Sequence, residues 1–233
     1  MNLKSIVRRL KTFVKGALGK ELTEKPDVIC VKQRFGADHG GWDVVTSNID
    51  MQSIVYSLGV GENASFDKAL IEKYNLIIHA FDPTPNSIKW VKRQGFSKNF
   101  IMHEYGIAAV DENISFYPPE KAGYTSYTIL DRPSAKANAI SVPVKRLSTV
   151  MKELGHDHID ILKMDIEGAE YEVINDIFKS DIRPQQILVE FHHRFPNVGI
   201  KKTKEAIDRL RSMQYKLFSV STSNKEFCFI RNK

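Results

Sequence analysis

The chain has 233 residues, 42% of them apolar and 27% charged, which is enough to bury one sizeable core and too ordinary a balance for a disordered or fibrous protein. Its net charge of +6 is local: residues 1–20 carry Lys4, Arg8, Arg9, Lys11, Lys15 and Lys20 and no acid, so the rest is close to neutral and a nucleic-acid groove across the domain is not expected. Cys30 and Cys228 stand in no ligand-like spacing, which argues against a disulfide scaffold or zinc cluster and suits a reducing cytoplasm.

Leu3, Ile6, Val7, Leu10, Val14, Ala17 and Leu18 recur at helical spacing, so residues 1–24 read as a basic amphipathic helix and linker ahead of one domain over 25–233. That helix packs on the core or a partner, or it anchors the chain peripherally to an anionic membrane. No apolar run reaches transmembrane length, and the start lacks the apolar centre of a signal peptide. Residues 28–36 and the stretch after Gly40 and Gly41 predict a short hairpin. From residue 53 apolar runs alternate with helical segments: strand 53–61, helix 65–74, strand 76–84, helix 85–95, strand 99–108. Residues 111–142 read as a long irregular segment, more often functional than filler. Strand and helix over 142–154, strand and helix over 160–178, strand 185–193, helix 201–213 and a hairpin turning at Ser223 and Asn224 complete the chain. This alternation predicts an α/β fold, a parallel sheet with helices on both faces.

Gly59 and Gly61 close the first core strand just before a helix, where open α/β sheets bind ligands. Ala64 stands where a third dinucleotide-binding glycine would fall, and no G-K-[ST] follows, so neither a pyrophosphate turn nor a P-loop is expected. Asp82 ends the second strand about twenty residues on, where a carboxylate accepts both hydroxyls of a ribose. The same Asp before Pro also starts turns. In "ILKMDIEGAEYEVI" four acids crowd a strand-to-helix junction; Glu170 and Glu172 read as first-turn acids favourable to the helix dipole.

With "YSLGVGENASFD", "HAFDPTP", "EYGIAA", "LKMDIEGAEYEVI" and "ILVEFHH" on the page, the chain resembles the FkbM family of class I S-adenosylmethionine-dependent methyltransferases over about residues 50–195. The resemblance implies a Rossmann-like seven-stranded sheet whose last strand runs antiparallel. It implies that Gly59, Gly61 and Asn63 line the methionine end of S-adenosyl-L-methionine, Asp82 the ribose, and Gly106 and Ile107 the adenine. Asp165 would lie beside the sulfonium, where a negative charge is favourable, with Glu167 next to it facing cofactor and acceptor. Class I enzymes usually open the glycine motif with an acid; Ser57 stands there, so the methionine end would lean more on Glu62, Asn63 and backbone amides. The reaction implied is O-methylation of a sugar hydroxyl in a surface polysaccharide, glycolipid or glycosylated metabolite. The alternatives are a protein or small-molecule hydroxyl, or a non-catalytic module. Glu190 and His192 share a strand face, and His192 is the expected general base. Asp165, Glu190 and His192 are also an incomplete ligand set for Mg²⁺, a reading ranked below a metal-free site. Tyr117, Tyr124, Tyr127 and Arg132 would cover the acceptor.

Overall fold

The structure, a computed structural model, describes residues 22–119, 127–130 and 133–232. The N-terminal helix expectation therefore falls almost wholly outside the described residues. Where description begins, Leu22 is fully buried and Glu24 pairs with Arg211, so this end of the linker is packed against the domain. The predicted hairpin is present but shorter than expected: β1 (Gln33–Phe35) pairs antiparallel with β2 (Trp42–Val44). Residues 27 and 28 instead bond through their amides to the Leu217 carbonyl.

Chain order then gives β3 (Ile54–Leu58), α1 (Ser65–Tyr74), β4 (Ile77–Phe81), α2 (Pro85–Gln94) and β5 (Phe100–His103). A small sheet follows, from β6 (Gly106–Ile107), β7 (Glu112–Phe116) and β8 (Ile140–Lys145). After α3 (Leu147–Leu154) come β9 (Ile161–Met164), α4 (Glu170–Lys179), β10 (Gln186–Glu190), α5 (Gly199–Ser212), β11 (Tyr215–Val220) and β12 (Glu226–Arg231). Among the described residues the main sheet has seven strands in the order β11-β12-β10-β9-β3-β4-β5. The five from β10 to β5 are parallel, and β12 lies antiparallel between β10 and β11. This is the class I methyltransferase sheet expected above.

The core strands are largely apolar because both faces are covered. Tyr56, Leu58, Leu162, Met164, Ile187 and Val189 enter one core, roofed by side chains of α3, α4 and α5. Val55, Ile161 and Leu188 point the other way, to Phe66 and Leu70 of α1, Val91 of α2 and Trp42 of the hairpin. Each fully buried Leu or Ile contributes roughly 1.5–3 kcal/mol. Because β3 is followed by β4 on one side and bordered by β9 on the other, the sheet reverses its winding between β3 and β9. The carboxyl ends there form an open crevice.

Two expectations need correction. The strand read over 99–108 breaks after His103, and Gly106–Ile107 leaves the main sheet to pair with β8. The stretch 111–142 is not irregular throughout: β7 pairs antiparallel with β8, and Pro133–Asn138 forms a 3₁₀ turn. Pro143 is tolerated inside β8 because β6 reaches only Val144 and Lys145, so the proline's missing donor faces no ladder partner there. Among the described residues no helix is long and apolar enough to cross a membrane.

Candidate active site

The glycine turn is built by strand ends that nearly touch. Gly59 has a φ of +81°, and a Cβ there would sit 1.8 Å from the Asp165 carbonyl oxygen. Its amide bonds the Phe81 carbonyl at 2.9 Å, while the Asp165 amide bonds the Leu58 carbonyl at 3.0 Å. The ends of β3, β4 and β9 are thus stitched together with no room for a side chain at 59.

Asp82 is the clamp of this turn. One carboxylate oxygen accepts the Val60 and Gly61 amides at 3.0 and 2.9 Å; the other accepts the Thr84 amide at 2.9 Å and hydroxyl at 2.6 Å. The residue is 6% exposed and lines a cleft with Gly59, Gly61, Gly106, Ile107, Asp165 and Glu167. Seven of the expected site residues therefore converge on one cavity. Glu62 and Asn63 do not: they line a separate hollow between α1 and α2. The Asn63 side chain accepts the Ser65 amide and donates to the His39 carbonyl, so it fastens the start of α1 to the hairpin instead of reaching the cleft.

At the cleft's acidic end, α4 begins with a residue that the sequence reading assigned to the helix alone. Glu170 is fully buried and accepts the Ile166 amide at 3.0 Å, the Gly168 amide at 3.0 Å and His192 Nδ1 at 2.9 Å. It ties down the loop carrying Asp165 and Glu167 and orients the imidazole. Glu172 stays on the helix surface, paired with Lys202. On the other side of the ring, His192 Nε2 lies 3.3 Å from Glu167, 3.9 Å from Asp165 and 3.9 Å from Glu190. Burial alone would push His192 down, but the charges of Glu170, Glu167 and Asp165 and the Glu170 hydrogen bond outweigh it and raise its pKa to about 10. An imidazole held in its protonated form by these acids has no free lone pair with which to act as the general base expected of His192.

Burial pushes Asp165 up, with Lys163 and His192 opposing it and Glu167 and Glu170 adding to it. Burial and Asp165 push Glu190 up, against its 2.8 Å bond from Lys225. A carboxyl moved toward neutrality is a better proton acceptor. Asp165, Glu190 and His192 offer ligand atoms within 4.8 Å of one another, the span of a cation's ligand set. Only three protein donors meet there, and Glu190 is already bonded to Lys225, so the described residues give no complete ligand set for Mg²⁺.

Phe116, which the sequence did not single out, lines the cleft together with Tyr127, one of the tyrosines expected there. Tyr117, another of them, pairs with Thr128, whose hydroxyl donates to the Glu167 carbonyl. Glu167 has a φ of +52° and Gly168 one of +104°, and Leu130 packs where a Cβ on Gly168 would be. Of the tyrosines and arginine expected over the acceptor, Tyr124 and Arg132 lie outside the described residues.

A seven-stranded sheet with an inserted antiparallel strand, a glycine turn clamped by the acid of the next strand and an acid at the end of β9 define a class I methyltransferase domain. The chain belongs to the methyltransferase FkbM domain family, whose model matches residues 60–217. It is 23% identical over 211 residues to the probable methyltransferase-like protein 24 of Homo sapiens, covering 88% of this chain and 50% of that protein. For the Rattus norvegicus protein of the same name the identity is 25% over 187 residues, covering 79% and 43%. The chain thus spans about half the length of the curated relatives it matches. A crystal structure of methyltransferase FkbM from Methylobacillus flagellatus shares the fold, with a TM-score of 0.50 at 14% identity over 79% of this chain and 44% of that one.

Proposed function

We propose that this domain binds S-adenosyl-L-methionine in the cleft and methylates a hydroxyl of a sugar acceptor, with Asp165 or Glu190 taking the hydroxyl proton. The cofactor, when bound, supplies a methyl group on a positively charged sulfur. The cleft suits that group: Gly59 leaves no room for a side chain beside it, Asp165 and Glu167 line one end, and Glu170 and Glu190 stand behind them around His192. Those four carboxylates face three cations, His192, Lys163 and Lys225, an excess of negative charge that favours a cationic ligand. Asp82 holds the glycine turn and would meet the ribose of the cofactor; Gly106 and Ile107 would lie against its base.

The observation that carries the reaction is the pair Asp165 and Glu190: Asp165 lines the cleft, and the carboxylate oxygens of the two lie within 4.8 Å of each other. His192 keeps its proton and orients them. Phe116 and Tyr127 supply ring faces against which a sugar can stack. The basic segment 1–20 holds the domain at an anionic membrane that carries such glycans. Transfer of labelled methyl from S-adenosyl-L-methionine to a panel of oligosaccharides, phenols and hydroxyl peptides tests the acceptor class: labelling of sugars is expected, and labelling confined to phenols or peptides would refute it. Cosedimentation with phosphatidylglycerol vesicles, lost on deleting residues 1–20, tests the membrane arm.

A further inference from the structure

Lys163 is the only charged residue of β9 and is 6% exposed. Its ammonium donates to the Leu58 carbonyl at 3.4 Å and to the Gly59 carbonyl, so it stands directly under the glycine turn. A buried ammonium requires a counter-charge. Its partner across the parallel ladder is Ser57, on the same sheet face, a neutral side chain with no exposure and no hydrogen-bond partner for its hydroxyl oxygen. Asp165, two residues along β9, is one acid in its field.

The second is Asp67. It lies in the first turn of α1, between Phe66 and on the side of Leu70 that packs into the core on this face. The helix dipole favours an acid in that turn but gives no reason to bury it. Asp67 is nevertheless 2% exposed, and its Oδ1 has no hydrogen-bond partner. Burial pushes its carboxyl up, and the charge of Lys163 opposes that rise, with the Ser57 hydroxyl alongside. Neither the helix terminus nor solvent explains a buried acid here; the groups of opposite polarity that face it are the Lys163 ammonium, beyond direct ion-pair distance, and the Ser57 hydroxyl.

We infer that Asp67 is a positioning residue for the cofactor cleft: from α1 it supplies the counter-charge that Ser57 does not give to Lys163, and through Lys163 it fixes the Gly59 carbonyl and the floor beside Asp165. The cofactor arm of the test rests on the reading proposed above; the stability arm does not.

The test compares wild type with Asp67→Asn, Ser57→Asp and the exchanged pair Ser57→Asp/Asp67→Asn, by melting temperature and by calorimetric titration with S-adenosyl-L-methionine. Removing one partner of a buried pair is expected to lower the melting temperature of Asp67→Asn by about 10 °C. Cofactor affinity should fall roughly tenfold or more with it, the scale of one charge interaction of about 1.4 kcal/mol. The exchanged pair should regain at least about half of the lost melting temperature and most of the affinity, whereas Ser57→Asp alone should not exceed wild type. An Asp67→Asn protein that melts with wild type overturns the inference, as does an exchanged pair that melts no higher than Asp67→Asn. Where Asp67→Asn yields no folded protein, a folded exchanged pair supports the inference and an unfolded one overturns it. A wild type that binds no cofactor refutes the methyl-donor reading, and the melting temperatures then decide the charge exchange by themselves.

Discussion

Replacing Glu170 by Gln keeps the shape of the side chain and removes the charge that His192 Nδ1 meets at 2.9 Å. In the intact protein the imidazole is raised from 6.5 to about 10, a preference of the folded state for the protonated ring worth roughly 5 kcal/mol as an upper bound. Because the folded value lies above the unfolded one, this stability is fully present below about pH 6.5 and is lost as pH rises through 10. A hydrogen bond to a charged group contributes about 1.5–3 kcal/mol, so Glu170→Gln should lower the His192 pKa by about one to two. Nitrogen-detected NMR of the imidazole gives the pKa directly, and urea unfolding at pH 6.5 and 9.5 gives the linked stability. Wild type should lose several kcal/mol between those pH values, and the variant distinctly less. A wild-type His192 that titrates near 6.5, or stability that is flat across this window, would refute the placement of a charged imidazole among the acids.

Other perturbations separate the parts of the cleft. Gly59→Ala drives a Cβ into the Asp165 carbonyl and should abolish folding or cofactor binding, whereas Gly61→Ala, at a φ of +55° with open space around it, should cost about 1–2 kcal/mol, a few degrees of melting temperature. Asp82→Asn cannot accept the Val60, Gly61 and Thr84 donors as a charged group; cofactor affinity should drop at least about tenfold by calorimetry, and unchanged affinity contradicts the clamp. In the core beside Tyr56, His79 bonds His103 at 3.1 Å and touches His156; burial and these two rings push it down from 6.5 to about 4. Its stability is therefore present above pH 6.5 and lost as pH falls toward 4, about 3 kcal/mol in all. Urea unfolding at pH 5 and 7 should show that loss in wild type and much less of it in His79→Phe.

The legible parts of the fold were those set by short-range pattern. Runs such as Ile161–Met164 and Gln186–Glu190 are mostly apolar, with Lys163 the exception within β9, because both sheet faces are covered, and that shows in one dimension. The strand β7 carries alternating, largely exposed residues and its partner contains Pro143, so neither announces a ladder that closes only through a long loop. In the site, Gly59 and Asp82 were legible from position, but the clamp role of Asp82 depends on the Thr84 hydroxyl folding back. Glu170 was misread because a first-turn acid already has a local explanation, while its true partner lies 22 residues away. His192 has an unremarkable sequence context, and its charge state is fixed by three acids that only the fold assembles around it.

The central claim is that carboxylates at the end of β9 and β10 serve methyl transfer from S-adenosyl-L-methionine to a hydroxyl. Single-turnover transfer of labelled methyl by wild type and Asp165→Asn, each first shown to bind the cofactor, tests it most directly. Wild type should label the hydroxyl acceptor, and Asp165→Asn should do so about a hundredfold or more slowly if Asp165 is the base. A wild type that binds no cofactor, or Asp165→Asn and Glu190→Gln variants that both transfer at the full rate, would contradict it.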